Sequence, residues 1–219
     1  MKKYLLLLIA AATLTVSSAY ANPTLTNLVT ITQASDHSPN GGEFLLTSDG
    51  GASFTSFDTF CIEINQNVSM GSPYTYTIDN GSDGGVGPKN SLGLTPVSIG
   101  TAWLYSQFRE GNLNNNLDQN SLQDAIWYCQ GEKVSSEDST FNVNNNQYIL
   151  DAEKALNCNN NATALLVNGQ GAYGVDVWNL YSGTTECQSQ LGIQTTPEPT
   201  TMALIGMGGL SLFMIRRRK

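Results

Sequence analysis

The hydrophobic and polar positions of residues 22–196 change period along the chain, from alternation to helical spacing and back to alternation. Alternation of this kind is typical of half-buried strands. It predicts strands at Thr24–Gln33, Glu43–Thr47, Phe57–Asn65, Tyr74–Ile78, Tyr173–Tyr181 and Gln188–Ile193. The clearest is Phe57–Asn65, in which Phe60, Ile62 and Ile64 are predicted to share one face and Cys61 lies on the other.

Between these groups of strands the apolar residues recur at helical spacing. The pattern predicts helices at Val97–Phe108, Ser121–Gln130 and Gln147–Leu156, and Asn120 or Ser121 is the expected N-cap of the second. Strands, a helical insert and further strands indicate an α+β or mainly β domain. We therefore expect an antiparallel sheet over residues 22–196 with a small helical subdomain at about 96–157.

The first 21 residues have the three parts of a secretory signal peptide. A basic start, Met1-Lys2-Lys3, precedes a short apolar run, and Ala19-Tyr20-Ala21 forms a small-residue cleavage site. The run is short for a membrane span, which needs about 20 residues. We expect signal peptidase to cleave after Ala21; an uncleaved signal anchor is the alternative.

The last residues form a second membrane signal. Pro197-Glu198-Pro199 precedes the uncharged stretch Thr201–Ile215 and the cluster Arg216, Arg217, Arg218 and Lys219, which the positive-inside rule keeps cytoplasmic. The stretch predicts a transmembrane helix that anchors the chain transiently, and a permanent single-pass tail is the alternative.

This ending, residues 197–219, resembles the PEP-CTERM sorting domain of Gram-negative bacteria. The resemblance implies processing by an exosortase, a membrane cysteine protease-transpeptidase, near Pro197, Glu198 and Pro199. It also implies export across the inner membrane to the cell envelope, cell surface or extracellular matrix. Proteins with this tail are typically associated with an extracellular polysaccharide matrix.

The charge balance excludes one class of partner. Of ten basic residues, six lie in the two terminal signals, so the part between them is more acidic than the whole chain with its net charge of −8. Such a surface repels nucleic acid, and we predict no nucleic-acid partner.

Catalytic motifs are missing from the sequence. The only histidine is His37, and no P-loop, G-x-S-x-G or H-E-x-x-H occurs. Asp79–Asp83 loosely resembles a calcium loop, but Asn90 stands at its twelfth position instead of Glu. We predict no cofactor, no metal and no catalytic residue; a hydrolase with paired carboxylates is the alternative ranked lowest.

Two short motifs carry the candidate chemistry. Phe60-Cys61-Ile62 lies on a predicted strand, and Gln123-Asp124-Ala125-Ile126-Trp127 lies in a predicted helix. Together they resemble the Cys-Gln thioester domains of bacterial surface adhesins. The resemblance implies that Cys61 supplies the thiol and Gln123 the carbonyl, with Phe60, Ala125, Ile126 and Trp127 packed around them. The sequence departs from the motif at Leu122, where the family has Thr.

The physical basis of such a bond is proximity. A thiol displaces ammonia from a carboxamide only if both are held together in a dry, fixed site. The product is an activated acyl group that an amine of another molecule can attack.

The cysteine count allows a different outcome. Cys61, Cys129, Cys158 and Cys187 are destined for an oxidising compartment, where four cysteines permit three disulfide pairings. A thioester leaves Cys129, Cys158 and Cys187 as disulfide candidates with one thiol over, whereas two disulfides leave none.

These observations predict a surface adhesion module, not an enzyme, with or without a Cys61–Gln123 thioester. Its expected partner is exopolysaccharide or an amine of a surface protein. The alternative is a non-covalent polysaccharide-binding or structural matrix protein that uses Trp103, Trp127, Trp178 and Tyr181.

Overall fold

The computed structural model describes residues 28–34, 42–49, 55–113, 118–158 and 161–193. The predicted signal peptide, the sorting tail with its helix, and His37 lie outside the described residues. Within the described residues, no helix has the length and apolar character needed to cross a membrane.

One antiparallel sheet forms the body of the domain. Its strands are β1 (Val29–Gln33), β2 (Phe44–Ser48), β3 (Ser56–Thr59), β4 (Pro73–Asp79), β7 (Val175–Ser182), β8 (Thr185–Glu186) and β9 (Gln190–Ile193). A separate short pair consists of β5 (Gly81–Ser82) and β6 (Thr95–Pro96). The order in the main sheet is β3-β2-β1-β4-β7, and both β8 and β9 pair with β7. An antiparallel sheet with three helices confirms the α+β prediction.

The sheet closes on itself through the residues that follow β3. Leu191 N donates to Phe60 O at 3.0 Å, and Ile62 N donates to Ser189 O at 3.1 Å. Cys61 and Gln190 lie directly opposite each other between these two hydrogen bonds. The two ends of the strand order are therefore joined at Cys61.

The helices lie between the two groups of strands, as the pattern predicts. They are α1 (Ile99–Arg109), α2 (Gln119–Cys129) and α3 (Gln147–Ala155), and the N-caps Ser98, Asp118 and Asn146 each accept a hydrogen bond from a first-turn N–H. The predicted cap of α2 is wrong, because this helix begins two residues earlier than predicted. Asp118 supplies the capping oxygen, to Asn120 N at 3.0 Å.

The core consists of two clusters. The helix cluster joins the inward faces of α1, α2 and α3 to one side of the sheet and includes Phe60, Ile62, Leu104, Ile126, Ile149, Val177 and Leu191. The sheet cluster gathers the other side of the strands and includes Val29, Ile31, Phe44, Leu46, Cys61, Tyr74, Trp127, Trp178 and Leu180. Because α2 contributes Ile126 to one cluster and Trp127 to the other, it lies where the two meet.

Two strands differ from their predicted bounds: Phe57–Asn65 is not one continuous strand, and the strand predicted from Tyr173 begins at Val175. Ile64 packs against the sheet cluster, whereas Phe60 and Ile62 belong to the helix cluster, because the chain bends after Cys61 instead of continuing as one strand. Tyr173 precedes β7 in a 3-10 turn with φ of 55°, and its side chain is exposed. The alternating pattern therefore predicted the start of this strand two residues too early.

Candidate functional site

Cys61 lies at the position where the sheet closes, and its backbone polar groups face away from β9. The hydrogen bonds on either side of the Cys61–Gln190 pair mark it as a non-hydrogen-bonded pair of an antiparallel ladder. In such a pair each residue directs its own N–H and C=O outward. Cys61 is 2% exposed, so these groups need partners within the protein.

Gln123 provides those partners. Its Nε2 donates to Cys61 O at 2.7 Å, and its Oε1 accepts from Cys61 N at 3.2 Å. The carboxamide thus pairs with the backbone as a neighbouring strand would. The same arrangement brings the Cys61 thiol against the carboxamide, with Sγ 3.2 Å from Oε1. The structure therefore brings together the two residues that the motifs singled out.

The position of α2 explains how Gln123 reaches the strand. The ladder between β2 and β3 begins with Phe44 opposite Thr59, so Gly42 and Glu43, which precede β2, lie outside it. Gly42, with φ of 106°, lies there against the first turn of α2, within 3.6 Å of Gln119 Cβ if a Cβ is built on the glycine. A side chain at this left-handed position would be strained, so glycine is favoured where the chain passes the first turn of α2.

The electrostatics of the site favour an uncharged thiol. Burial raises the pKa of the Cys61 thiol, and the Glu63 carboxylate raises it further. The thiol therefore keeps its proton at neutral pH. A reaction at Sγ has to transfer that proton to another atom as the new bond forms.

The four predicted supporting residues divide between the two clusters. Trp127 belongs to the sheet cluster with Cys61, whereas Phe60, Ala125 and Ile126 belong to the helix cluster. Phe60 does not flank the thiol, because successive residues of an extended segment face opposite sides. Leu122, the departure from the motif, is buried in the helix cluster.

Glu63 is a buried carboxylate that the sequence did not single out. It is 1% exposed and accepts hydrogen bonds from Gly84 N at 3.0 Å and from Ser189 N at 3.0 Å. Burial raises its pKa in spite of these bonds. The alternating pattern placed Glu63 on the same side of the strand as Cys61, where an acidic residue is expected to face solvent. Its side chain is buried because the sheet closes and brings Ser189 against it.

The remaining cysteines divide by cluster. Cys129 is buried in the helix cluster and Cys158 packs against the same cluster, whereas Cys187 packs against the sheet cluster that holds Cys61. Burial raises the pKa of Cys129, and the nearby Cys158 raises it further. All four are free thiols here. Disulfides at Cys129, Cys158 and Cys187 stay a prediction, and Cys129 with Cys158 is the pairing that the packing favours.

Asp124, next to Gln123, is a buried carboxyl group that lies against a second one, Asp138. Burial raises its pKa to about 7, and Asp138 and Asp118 add to the rise. Hydrogen bonds from Thr140, and one from Asp124, lower the pKa of Asp138. At pH values below this pKa, the protonated Asp124 carboxyl donates to Asp138 and connects α2 to the segment that follows it.

The contact between Asp124 and Asp138 should make the stability of the protein depend on pH. Because the pKa of Asp124 is higher in the folded chain than in the unfolded one, the free energy of unfolding should fall as pH rises from about 4 to about 7. The contribution is at most about 1.4 kcal/mol per pH unit. Asp124→Asn retains a donor to Asp138 and should flatten the slope in denaturant titrations, whereas exposed Glu137→Gln should not. A wild-type slope in Asp124→Asn would contradict this assignment.

The tryptophans proposed for non-covalent polysaccharide binding differ in how far they are exposed. Trp127 and Trp178 are 5% and 6% exposed, so neither offers a face to a polysaccharide. Trp103 is half-buried and lines a groove with Gln107, Asn112, Leu113, Asp151, Lys154 and Ala155. Among the described residues, no group of three or more metal-ligating side chains lies together.

In comparison with known protein families, residues 195–219 match the PEP-CTERM protein-sorting motif. No curated protein and no solved structure matches the chain. The motif indicates an exported protein that an exosortase processes, located in the cell envelope or at the surface of a Gram-negative bacterium. It leaves the role of the domain before it open.

Proposed function

We propose that the exported domain is a covalent adhesion module in which Cys61 and Gln123 form an internal thioester that captures an amine of another molecule. The observation that carries this proposal is the contact of Cys61 Sγ with Gln123 Oε1, 3.2 Å apart in a buried site. Two backbone hydrogen bonds hold the carboxamide beside the thiol, so the two groups are already neighbours before any bond forms.

The bond forms by displacement of ammonia. Sγ attacks Cδ of Gln123, the Cδ–Nε2 bond breaks, and the thiol proton leaves with the nitrogen. Negative charge develops on Oε1 during the attack, and Cys61 N already donates to that atom at 3.2 Å. A fixed N–H at the developing oxyanion stabilises the transition state. No oxidant or cofactor is needed.

Capture of the partner is the same exchange with a different nitrogen. A primary amine attacks Cδ, the C–S bond breaks, and one amine proton passes to Sγ. The product is a substituted amide at Gln123 and a free Cys61 thiol. Each chain reacts once, so the module is consumed and does not turn over. A lysine of a surface protein or an amino sugar of an exopolysaccharide has the required amine.

The intact mass of the secreted protein tests the proposal. The wild-type protein should be lighter than its sequence by one ammonia, and Cys61→Ala should remove this deficit while Cys187→Ala keeps it. A disulfide removes only two hydrogens and is reversed by a phosphine reductant. A mass explained by disulfides alone would contradict the thioester and would favour a Cys61–Cys187 bond within the sheet cluster.

A second function is supported by the groove at Trp103. An aromatic face beside Gln107, Asp151 and Lys154 offers stacking and hydrogen bonds to a sugar chain. Non-covalent binding to isolated exopolysaccharide should then be lost in Trp103→Ala and retained in Cys61→Ala. The reverse result would favour the covalent module.

Processing of the tail can be tested separately. Replacing Pro197, Glu198 and Pro199 together by alanine should leave the C-terminal residues on the protein, because an exosortase would no longer recognise its motif. Mass spectrometry of C-terminal peptides from an exosortase-containing host measures this. Thr200→Ala with Thr201→Ala is the matched control and should be processed. Normal processing of the triple variant would show that recognition lies elsewhere.

A further inference from the structure

Two buried polar atoms of the site have no hydrogen-bond partner. They are Oε1 of Gln190, a residue that is 0% exposed, and Nε1 of Trp127, which is 5% exposed. The other amide atom of Gln190, Nε2, donates to Gln188 O at 3.4 Å. Buried polar atoms in folded proteins are nearly always paired, so one acceptor and one donor left open require an explanation.

Both residues adjoin the reacting pair. Gln190 is directly opposite Cys61, in the type of antiparallel pair whose side chains lie closest together. Trp127 follows Gln123 by four residues on α2, so the two share one face of the helix. Trp127 also packs in the sheet cluster with Cys61. The open acceptor therefore lies on β9, directly opposite the thiol, and the open donor lies on α2, the helix that holds the carboxamide.

Resting on the thioester proposed above, we propose that Gln190 and Trp127 form a binding site for a neutral amine nitrogen. This nitrogen is the departing ammonia when the thioester forms and the incoming primary amine when it reacts. Attack by a primary amine is the reverse of the ammonia-releasing step with a substituent on the nitrogen, so we expect the incoming nitrogen to occupy the position that ammonia leaves. Gln190 Oε1 accepts an N–H of the amine, and Trp127 Nε1 donates to its lone pair until the attack begins.

The pair of open atoms selects the chemical class of the ligand. A neutral amine presents N–H donors and one lone pair, which match one acceptor and one donor. An ammonium ion presents donors only and a carboxylate acceptors only, so each would leave one of the two atoms unpaired. Both ions would also lose their hydration in a buried site. A primary amine that enters without its charge is therefore the favoured nucleophile.

The rate of reaction with methylamine tests this site in the mature protein. Gln190→Met keeps the length of the side chain but removes the acceptor. It should slow methylamine incorporation about tenfold, the effect of one lost hydrogen bond. Its Tm should stay equal or rise, because removal of the buried unpaired oxygen offsets the loss of the long hydrogen bond from Nε2 to Gln188 O. Trp127→Phe removes the open donor and should also slow incorporation, which gives a second reading if Gln190→Met folds poorly.

Gln188→Met is the matched control. Gln188 is also buried, but its Nε2 donates to Glu63 O at 2.8 Å, so its replacement should lower Tm and leave the methylamine rate unchanged.

A Gln190→Met protein with a lowered Tm and an unchanged rate would overturn the amine site and show a structural role. An equal slowing of hydrolysis and of methylamine incorporation would show a water site and also overturn it. A wild-type protein without the ammonia deficit would overturn this proposal and the thioester together, whereas an unchanged rate in a protein that has the thioester overturns the amine site alone.

Discussion

Replacing Cys61 by alanine is expected to abolish covalent coupling of methylamine, which the wild-type protein should incorporate at up to one molecule per chain. An unactivated glutamine carboxamide does not exchange with amines at neutral pH, whereas a thioester does. The loss in Cys61→Ala should be complete, because no other residue of the site supplies a thiol: Cys129 and Cys158 belong to the helix cluster.

The matched control for this prediction is Cys187→Ala. Cys187 packs against the same cluster as Cys61, but its Sγ donates to Thr185 O at 3.7 Å, whereas Sγ of Cys61 lies against Oε1 of Gln123. This variant should couple methylamine as the wild type does. Coupling that persists in Cys61→Ala, or that is lost equally in Cys187→Ala, would contradict the assignment of the thiol.

Replacing Gln123 by leucine in a Cys61→Ala background, in which the carboxamide stays intact, is expected to cost about 2–4 kcal/mol of stability, a fall in Tm of roughly 5–10 °C. The change leaves the backbone N–H and C=O of position 61 without the carboxamide that pairs with both, where the protein excludes water. Thermal unfolding measures the effect. Gln147→Leu, on the exposed face of α3, should change the stability by less than about 0.5 kcal/mol.

This second prediction separates two roles of Gln123. A glutamine that only completes the backbone pairing of Cys61 would give the stability loss without any methylamine coupling in the wild-type protein. A small effect of Gln123→Leu on Tm would contradict the pairing itself. Formation of the thioester removes Nε2 and with it the hydrogen bond to Cys61 O, so the bonded protein keeps only the contact from Cys61 N to Oε1.

Much of the fold could be predicted because its elements have regular periods. β2 and β4 and all three helices lie within two residues of their predicted bounds. The prediction of Phe57–Asn65 as one strand was wrong because a local pattern cannot show where a chain bends. β3 pairs with β2, but the segment Phe60–Ile62 that follows it pairs with β9, which lies about 130 residues further along the chain.

The candidate site was predictable in part for the same reason. Cys61 and Gln123 were found because they stand in two short motifs, and the structure places them in contact. Gln190 and Glu63 stand in no motif, and a glutamine or glutamate in an alternating strand normally faces water. Their burial depends on the closure of the sheet, a long-range contact. The split of Phe60 and Trp127 between two clusters depends on the same closure.

Peptide mapping of the mature wild-type protein shows whether Cys61 and Gln123 are joined. After digestion at low pH, where a thioester persists, we expect one linked pair of peptides, containing Cys61 and Gln123, that is lighter than their sum by one ammonia. Treatment with methylamine should release the pair and leave the added amine on the peptide with Gln123. Separate peptides with an intact Gln123 carboxamide, or Cys61 linked to Cys187, would contradict it.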